Sequence, residues 1–318
     1  MVHNTAALSI APTWLWTAFV LGVLILLVID LSLFKRMKGR STTRYYSLES
    51  VVWVSISLLF NLWIGSYFGT EMGVQFLTGY LIEKSLSVDN LFVILLVFSS
   101  FKIPQRYQHR VLFYGVLGAI VMRGAFILIG AQLLHTFGWI LYVFGAILVI
   151  TAYRFVSEST AEQEHEAKDN WAVRLVKRIV PVSPRIESDR FFIVDAGKRL
   201  ATPLLLALVV IEITDLIFAV DSIPAVFSVT TDAFIAFASN ILALLGLRAL
   251  YFVLAESVSK FRYLKPGLAG ILGFIGFKML LVNVVYISSF LSLGIIAIIL
   301  LIAGTASIFA DKRDQRNS

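Results

Sequence analysis

The stretch IEITDLIFAVDSIP, residues 211–224, sets Glu212, Asp215 and Asp221 within a run that is otherwise apolar. On insertion scales one Asp at the middle of a bilayer costs about 2.5–3.5 kcal/mol. Three acids in one span therefore need partners, protons or a bound cation, because uncompensated carboxylates do not stay in hydrocarbon. Ionisable residues inside a membrane read first as a functional site, here a cation site. Buried ion pairs that only hold a helix bundle together are the competing reading.

The whole chain carries the same membrane signature. Of its 318 residues 58% are hydrophobic and 15% charged, with a mean hydropathy of +0.86. A soluble domain has about 25% charged residues. Apolar runs near twenty residues select helices over a β-barrel, so the expected fold is an all-α polytopic membrane protein. The chain has no cysteine, which excludes disulfides and thiolate metal sites.

About nine spans are expected: 13–34, 48–69, 76–101, 111–134, 138–156, 200–225, 231–254, 266–285 and 289–310. Of the 27 Lys and Arg, 23 fall in the segments 35–44, 102–110, 154–199, 260–265 and 312–316. The remainder are Lys84, Arg123, Arg248 and Lys278, all inside spans. The positive-inside rule then places the N-terminus outside and the C-terminus in the cytoplasm. It also accounts for the net charge of +7 without nucleic acid. The chain divides into a first transmembrane half (1–156), a cytoplasmic loop (157–199), a second half (200–310) and a cytoplasmic tail (311–318). Within the loop, WAVRLVKRIVP reads as an interfacial amphipathic helix and RFFIVDAGKR as a short hairpin or surface strand. The charge run around His165 reads as solvated.

Spans three and six share a pattern. Glu83 is followed six residues later by Asp89 of a Val-Asp pair and then Asn90; Asp215 is followed six residues later by Asp221 of a Val-Asp pair and then Ser222. Arg123 and Arg248 lie in the next spans, near Gly118 and Gly246. Spans three to five and six to eight thus form a three-helix repeat of opposite orientation. Such repeats place a substrate site at mid-membrane on their interface. Pro224 removes a donor to the Val220 carbonyl, and a helix break is expected near 220–224.

The candidate ligand shell is Glu83, Asp89, Asn90, Glu212, Asp215, Asp221 and Ser222. Hard oxygen donors suit Mn²⁺, Mg²⁺ or Ca²⁺. Lys84, Arg123, Arg248 and Lys278 are expected as counter-charges or gating groups. Asn240 and Asn283 read as interhelical hydrogen-bond donors, and Asp30 as a solvated residue near the cytoplasmic end of the first span. The glycines of spans four, seven and eight read as helix contacts. No phosphate loop, redox cysteine or nucleophile–base pair stands at recognisable spacing, so no enzymatic activity and no prosthetic group are expected.

The segments GYLIEKSLSVDNLFV (79–93), TPLLLALVVIEITDLIFAVDSIPAVF (202–227) and NILALLGLRALYFVL (240–254) resemble the TerC family, most closely its Alx-like branch. The resemblance covers about residues 48–285. It implies a transporter-superfamily protein of the bacterial inner membrane, linked to manganese export, tellurite resistance and pH-responsive expression, with Glu83, Asp89, Glu212, Asp215 and Asp221 matching the family's intramembrane acids. One departure is visible, since Thr151-Ala152-Tyr153-Arg154 stands where such proteins often carry a lysine after Thr-Gly. The expectation is a secondary exporter of divalent cations, Mn²⁺ foremost, with protons as counter-ions and the lipid bilayer as its surroundings. The alternative is a non-transport membrane factor of the stress response, with structural acids.

Overall fold

Helix boundaries follow from local chemistry. Pro203 begins a helix that Thr202 precedes in extended conformation, using a residue whose missing N–H would lack a partner there anyway. Asp232 caps another by accepting from the Ile235 N–H at 2.9 Å, the usual role of an aspartate before a first turn. Pro104 precedes a third. The computed structural model describes residues 9–36, 43–157, 183, 190–195, 198–255, 264–285 and 287–317.

Among the described residues there are ten helices: α1 (Thr13–Arg36), α2 (Thr43–Phe68), α3 (Thr70–Ser100), α4 (Gln105–Thr136), α5 (Ile140–Ser157), α6 (Pro203–Phe227), α7 (Ala233–Leu244), α8 (Leu247–Ala255), α9 (Leu264–Leu280) and α10 (Ser289–Asn317). Strands β1 (Phe192–Asp195) and β2 (Lys198–Ala201) form an antiparallel pair before α6, as expected of RFFIVDAGKR. Among the described residues the protein is therefore all-α apart from this strand pair. Residues 13–30, 44–68, 105–136, 203–227, 233–255 and 290–307 are long and apolar enough to cross a membrane, and 140–153 and 266–280 are shorter apolar helices. The amphipathic segment 171–181 and His165 lie outside the described residues.

Every residue of α7 is buried, so this helix, apolar nearly all round, runs through the middle of the bundle. Its neighbours α3, α4 and α6 surround it, α3 packing on α6 and α7, and α4 on α6 and α7. The pair α5 and α9 packs alongside. There Gly145 and Gly276 face one another so closely that a Cβ on either would press on the other's carbonyl oxygen. Small residues at such crossings let helix backbones approach without a hydrophobic driving force. The outer helices turn bare apolar side chains outward, including Leu21 and Ile25 on α1, Leu59 and Leu62 on α2 and Leu301 and Ile302 on α10.

Two expectations are corrected. The helix carrying IEITDLIFAVDSIP does not break at 220–224: α6 is continuous, with Pro224 inside it. Pro224 withholds only the donor to the Val220 carbonyl, one turn before the helix ends, and its own carbonyl still accepts from the Ser228 N–H at 3.0 Å, so the helix runs on to Phe227. The break falls instead in the seventh expected span. Leu245 leaves helical geometry and Gly246 takes φ +81°, a left-handed conformation that glycine adopts without penalty. The seventh span is thus two helices, α7 and α8.

Candidate functional site

Arg123 on α4 is completely buried and points its guanidinium between α3 and α6. Its Nε donates to Asp215 Oδ2 at 3.0 Å and its Nη2 to Asp215 Oδ1 at 2.7 Å, a two-pronged pairing that suits the planar fork. Its Nη1 donates to Glu83 Oε1 on α3, also fully buried, and to Ser222 Oγ at 3.2 Å. Asn240 on α7 donates to the other oxygen of Glu83 at 2.9 Å. The Asn90 amide has the orientation that satisfies both its sides when Oδ1 accepts from Arg123 Nη2 and Nδ2 donates to the Leu86 carbonyl, each at 3.3 Å. All five guanidinium N–H groups then have an acceptor.

The two acids that meet on Arg123 are Glu83 and Asp215, the corresponding first acids of the two sequence motifs. A single cationic group binds both. With Glu83 and Asp215 ionised, one negative charge remains on the cluster, and in a low-dielectric interior such a charge is far costlier than in water.

Glu212, one helical turn before Asp215, also faces α4 but lies apart from the guanidinium. Its carboxylate rests on Gly118, where any Cβ would overlap it. Its Oε2 is buried with no hydrogen-bond partner among the described residues. A cavity beside Asp215 is lined by Asn90, Ile94, Leu112, Gly115, Thr214 and Leu247, among others. On the far side of the cluster the packing is closed: Phe227 presses on Gly130 and Phe237 on Gly124.

The structure therefore brings together Glu83, Asn90, Asp215 and Ser222, with Glu212 nearby. The side chains of Asp89 and Asp221 lie outside the described ones, as does that of Arg154. Among the described residues no three His, Cys, Asp or Glu side chains are grouped so as to hold a metal ion.

Of the expected counter-charges only Arg123 is at this cluster. Lys84 turns to the end of α7 and donates to the Ala243 carbonyl at 3.1 Å, with Leu245 O at 3.5 Å. Lys278 donates to Ser292 Oγ at 2.8 Å. Arg248 on α8 pairs with Asp30 on α1 at 2.6 Å and Glu49 on α2 at 2.9 Å. Asp30 is thus not solvated: a guanidinium 218 residues further along the chain neutralises it, a pairing invisible to local sequence. Glu49, at the edge of the expected span 48–69, carries no such local signal beyond being an acid at a span end, as Asp30 also is. Asn240 does act as an interhelical donor, whereas Asn283 sits in the turn after α9 rather than on a helix and donates from there to the Tyr142 hydroxyl of α5.

Residues 68–315 match the model of the integral membrane protein TerC family. The chain belongs to the TerC family. It is 45% identical over 289 residues to an uncharacterized membrane protein of Myxococcus xanthus, covering 91% of this chain and 90% of that one. It is 44% identical over 317 residues to the Escherichia coli K12 protein named "Putative membrane-bound redox modulator Alx", covering 97% and 98%. A Photorhabdus laumondii protein of the same name is 44% identical over 313 residues, covering 96% and 97%. No solved structure matches. Within this TerC protein the acidic motifs, the buried arginine and the broken α7–α8 helix all fall inside the matched region.

Proposed function

We propose that this TerC-family protein is a secondary exporter of hard divalent cations, Mn²⁺ foremost, that works by alternating access and returns protons. The observation that carries the reading is the pair of corresponding acids, Glu83 and Asp215, held on one buried guanidinium beside a cavity that reaches Asp215. Arg123 stands in for the departed cargo and keeps the carboxylates together between cycles. With Glu212 included, the ionised cluster carries −2, the charge that one divalent cation or two protons offset. The orphan Oε2 of Glu212 supplies a ready acceptor. Glu83, Asp89, Asn90, Glu212, Asp215, Asp221 and Ser222 are the proposed ligand set.

The finer architecture belongs to the same proposal: nine spans in a bacterial inner membrane, with the N-terminus outside, the C-terminus in the cytoplasm and α3–α5 inverted against α6–α9. Two arguments support it. The basic segments all lie on one side in that topology. Exchanging the two units also maps the α3–α7 contact onto α4–α6 and returns α3–α6 and α5–α9 to themselves. In this orientation the cavity faces the cytoplasm, and the Phe227 and Phe237 contacts close the outer side.

The complete satisfaction of Arg123 favours one other reading, a membrane factor whose ion pairs only hold the bundle. The "redox modulator" of the relatives' name finds no thiol here, since the chain has no cysteine. Metal flux into inside-out vesicles separates the two. Wild type is expected to take up Mn²⁺ with proton release, and Asp215→Asn, inserted at normal abundance, to take up none. Equal uptake by both would end the exporter reading.

A further inference from the structure

A second charged cluster lies where α1, α2 and α8 meet. Arg248 Nη2 donates to Asp30 Oδ1 at 2.6 Å and to Glu49 Oε1 at 2.9 Å. The side chains of Arg248, Asp30 and Glu49 are only 6%, 14% and 10% exposed. Two carboxylates thus share one guanidinium away from water, which leaves one negative charge in excess if both are ionised. Both acids accept from the same guanidinium nitrogen, Nη2, and Glu49 Oε2 is buried with no hydrogen-bond donor facing it among the described residues. Two ionised carboxylates have no hydrogen to place between them; one proton supplies both the missing donor and the missing charge. Two carboxylates that share one buried site characteristically hold a single proton between them.

We propose that Asp30 and Glu49 bind one proton between them beside Arg248, forming a proton-dependent latch that fixes α8 at the mouth of the central cavity. The connection to the cavity is short. Leu247, the residue before Arg248, lines it, as does Leu244 on the other side of the Gly246 break. α8 is a short segment joined to α7 through a glycine at φ +81°, so its position is set by what grips it. α1 and α2 grip it through Arg248, and neither belongs to the repeated units that carry the central acids.

Other titratable groups around the latch are Tyr45 on α2, Tyr46 with its hydroxyl 3.0 Å from His109 Nε2, and Tyr251, whose hydroxyl donates to Gln108 at 3.0 Å. The His109 ring stacks on Phe252 of α8 at 3.9 Å, and the Lys84 ammonium reaches the Leu245 carbonyl just ahead of the break. None of these places a second cation on the two carboxylates. When the shared proton leaves, the extra charge repels within the pair and the grip on α8 loosens.

The test uses the absence of cysteine, which permits site-specific spin labels at Val52→Cys on α2 and Ala255→Cys on α8 in the full chain in lipid nanodiscs. Distances are read by pulsed electron resonance across pH without added metal. A single narrow distance at acidic pH that broadens or lengthens at alkaline pH is expected in wild type. Asp30→Asn and Glu49→Gln, each carrying one neutral amide beside one carboxylate, are expected to hold the narrow distance throughout. A pH-independent distance in wild type overturns the latch. So does a pH response that survives in both variants, since another group then drives it. Because no transport is measured, either result leaves the exporter reading to its own test.

Discussion

Arg123 holds Asp215 through two parallel hydrogen bonds, Nε to Oδ2 at 3.0 Å and Nη2 to Oδ1 at 2.7 Å. Side-on pairing fixes the guanidinium plane and turns its remaining amino group toward Glu83. Removal of one partner from a buried pair strands the other and costs about 3–5 kcal/mol. Arg123→Ala is therefore expected to lose most of its folded abundance in membranes. Arg123→Met combined with Glu83→Gln and Asp215→Asn is expected to recover abundance without metal flux. Thermal unfolding in detergent beside vesicle uptake checks both.

Gly118 and Glu212 form a second coupled pair. A methyl at position 118 overlaps the carboxylate, and overpacking of this kind costs about 1–3 kcal/mol. Gly118→Ala is expected to destabilise the protein, and Glu212→Ala in the same chain to restore most of the loss. Additive effects in a double-mutant cycle would show that the two positions do not touch.

Lys84 caps carbonyls freed where α7 stops. Lys84→Met keeps the apolar stem but removes the donor, and a buried acceptor left unsatisfied costs about 1–3 kcal/mol. The substitution is expected to lower the unfolding temperature and to speed hydrogen exchange at Leu245–Leu250, read by mass spectrometry. Unchanged exchange there would mean that water already serves those carbonyls.

Asp232 joins two segments, accepting from the Ile235 N–H and from the Ile10 N–H at 2.5 Å. Asp232→Ala is expected to cost about 1 kcal/mol, as for other lost helix caps. Burial pushes the Asp232 carboxyl above its ordinary pKa, against the lowering effect of the backbone N–H bonds. A raised folded-state value favours the protonated fold, so this group's contribution to stability is fully present below the unfolded pKa and falls as pH rises through the folded one. Asp232→Asn, which keeps an acceptor and cannot ionise, is expected to gain on wild type in melting temperature as pH rises out of the acid range.

Hydropathy, Lys and Arg placement and the proline positions make the helices legible, and RFFIVDAGKR suggests a short hairpin or surface strand, which the β1–β2 pair resolves. The acids Glu83 and Asp215 stand out because hydrocarbon tolerates few of them. That they converge on Arg123 is not written locally, since the guanidinium comes from a third helix. Pro224 is the stronger breaker by composition and so draws the expected break, yet its place one turn before the helix end lets the chain tolerate it. Gly246 looks unremarkable in sequence, and only its φ reveals the kink. Asp30 reads as a lone acid because its partner is far along the chain.

Glu83 accepts from Asn240, and its neighbour Lys84 donates to carbonyls at the end of the same helix. Successive residues of α3 therefore clamp α7 at two heights. For the proposed exporter the consequence is that α3 and α7 move as one body, so the parting seam does not follow the boundary between the two proposed repeat units. It falls between that body and the α4–α6 pair, with the arginine as the clasp across it.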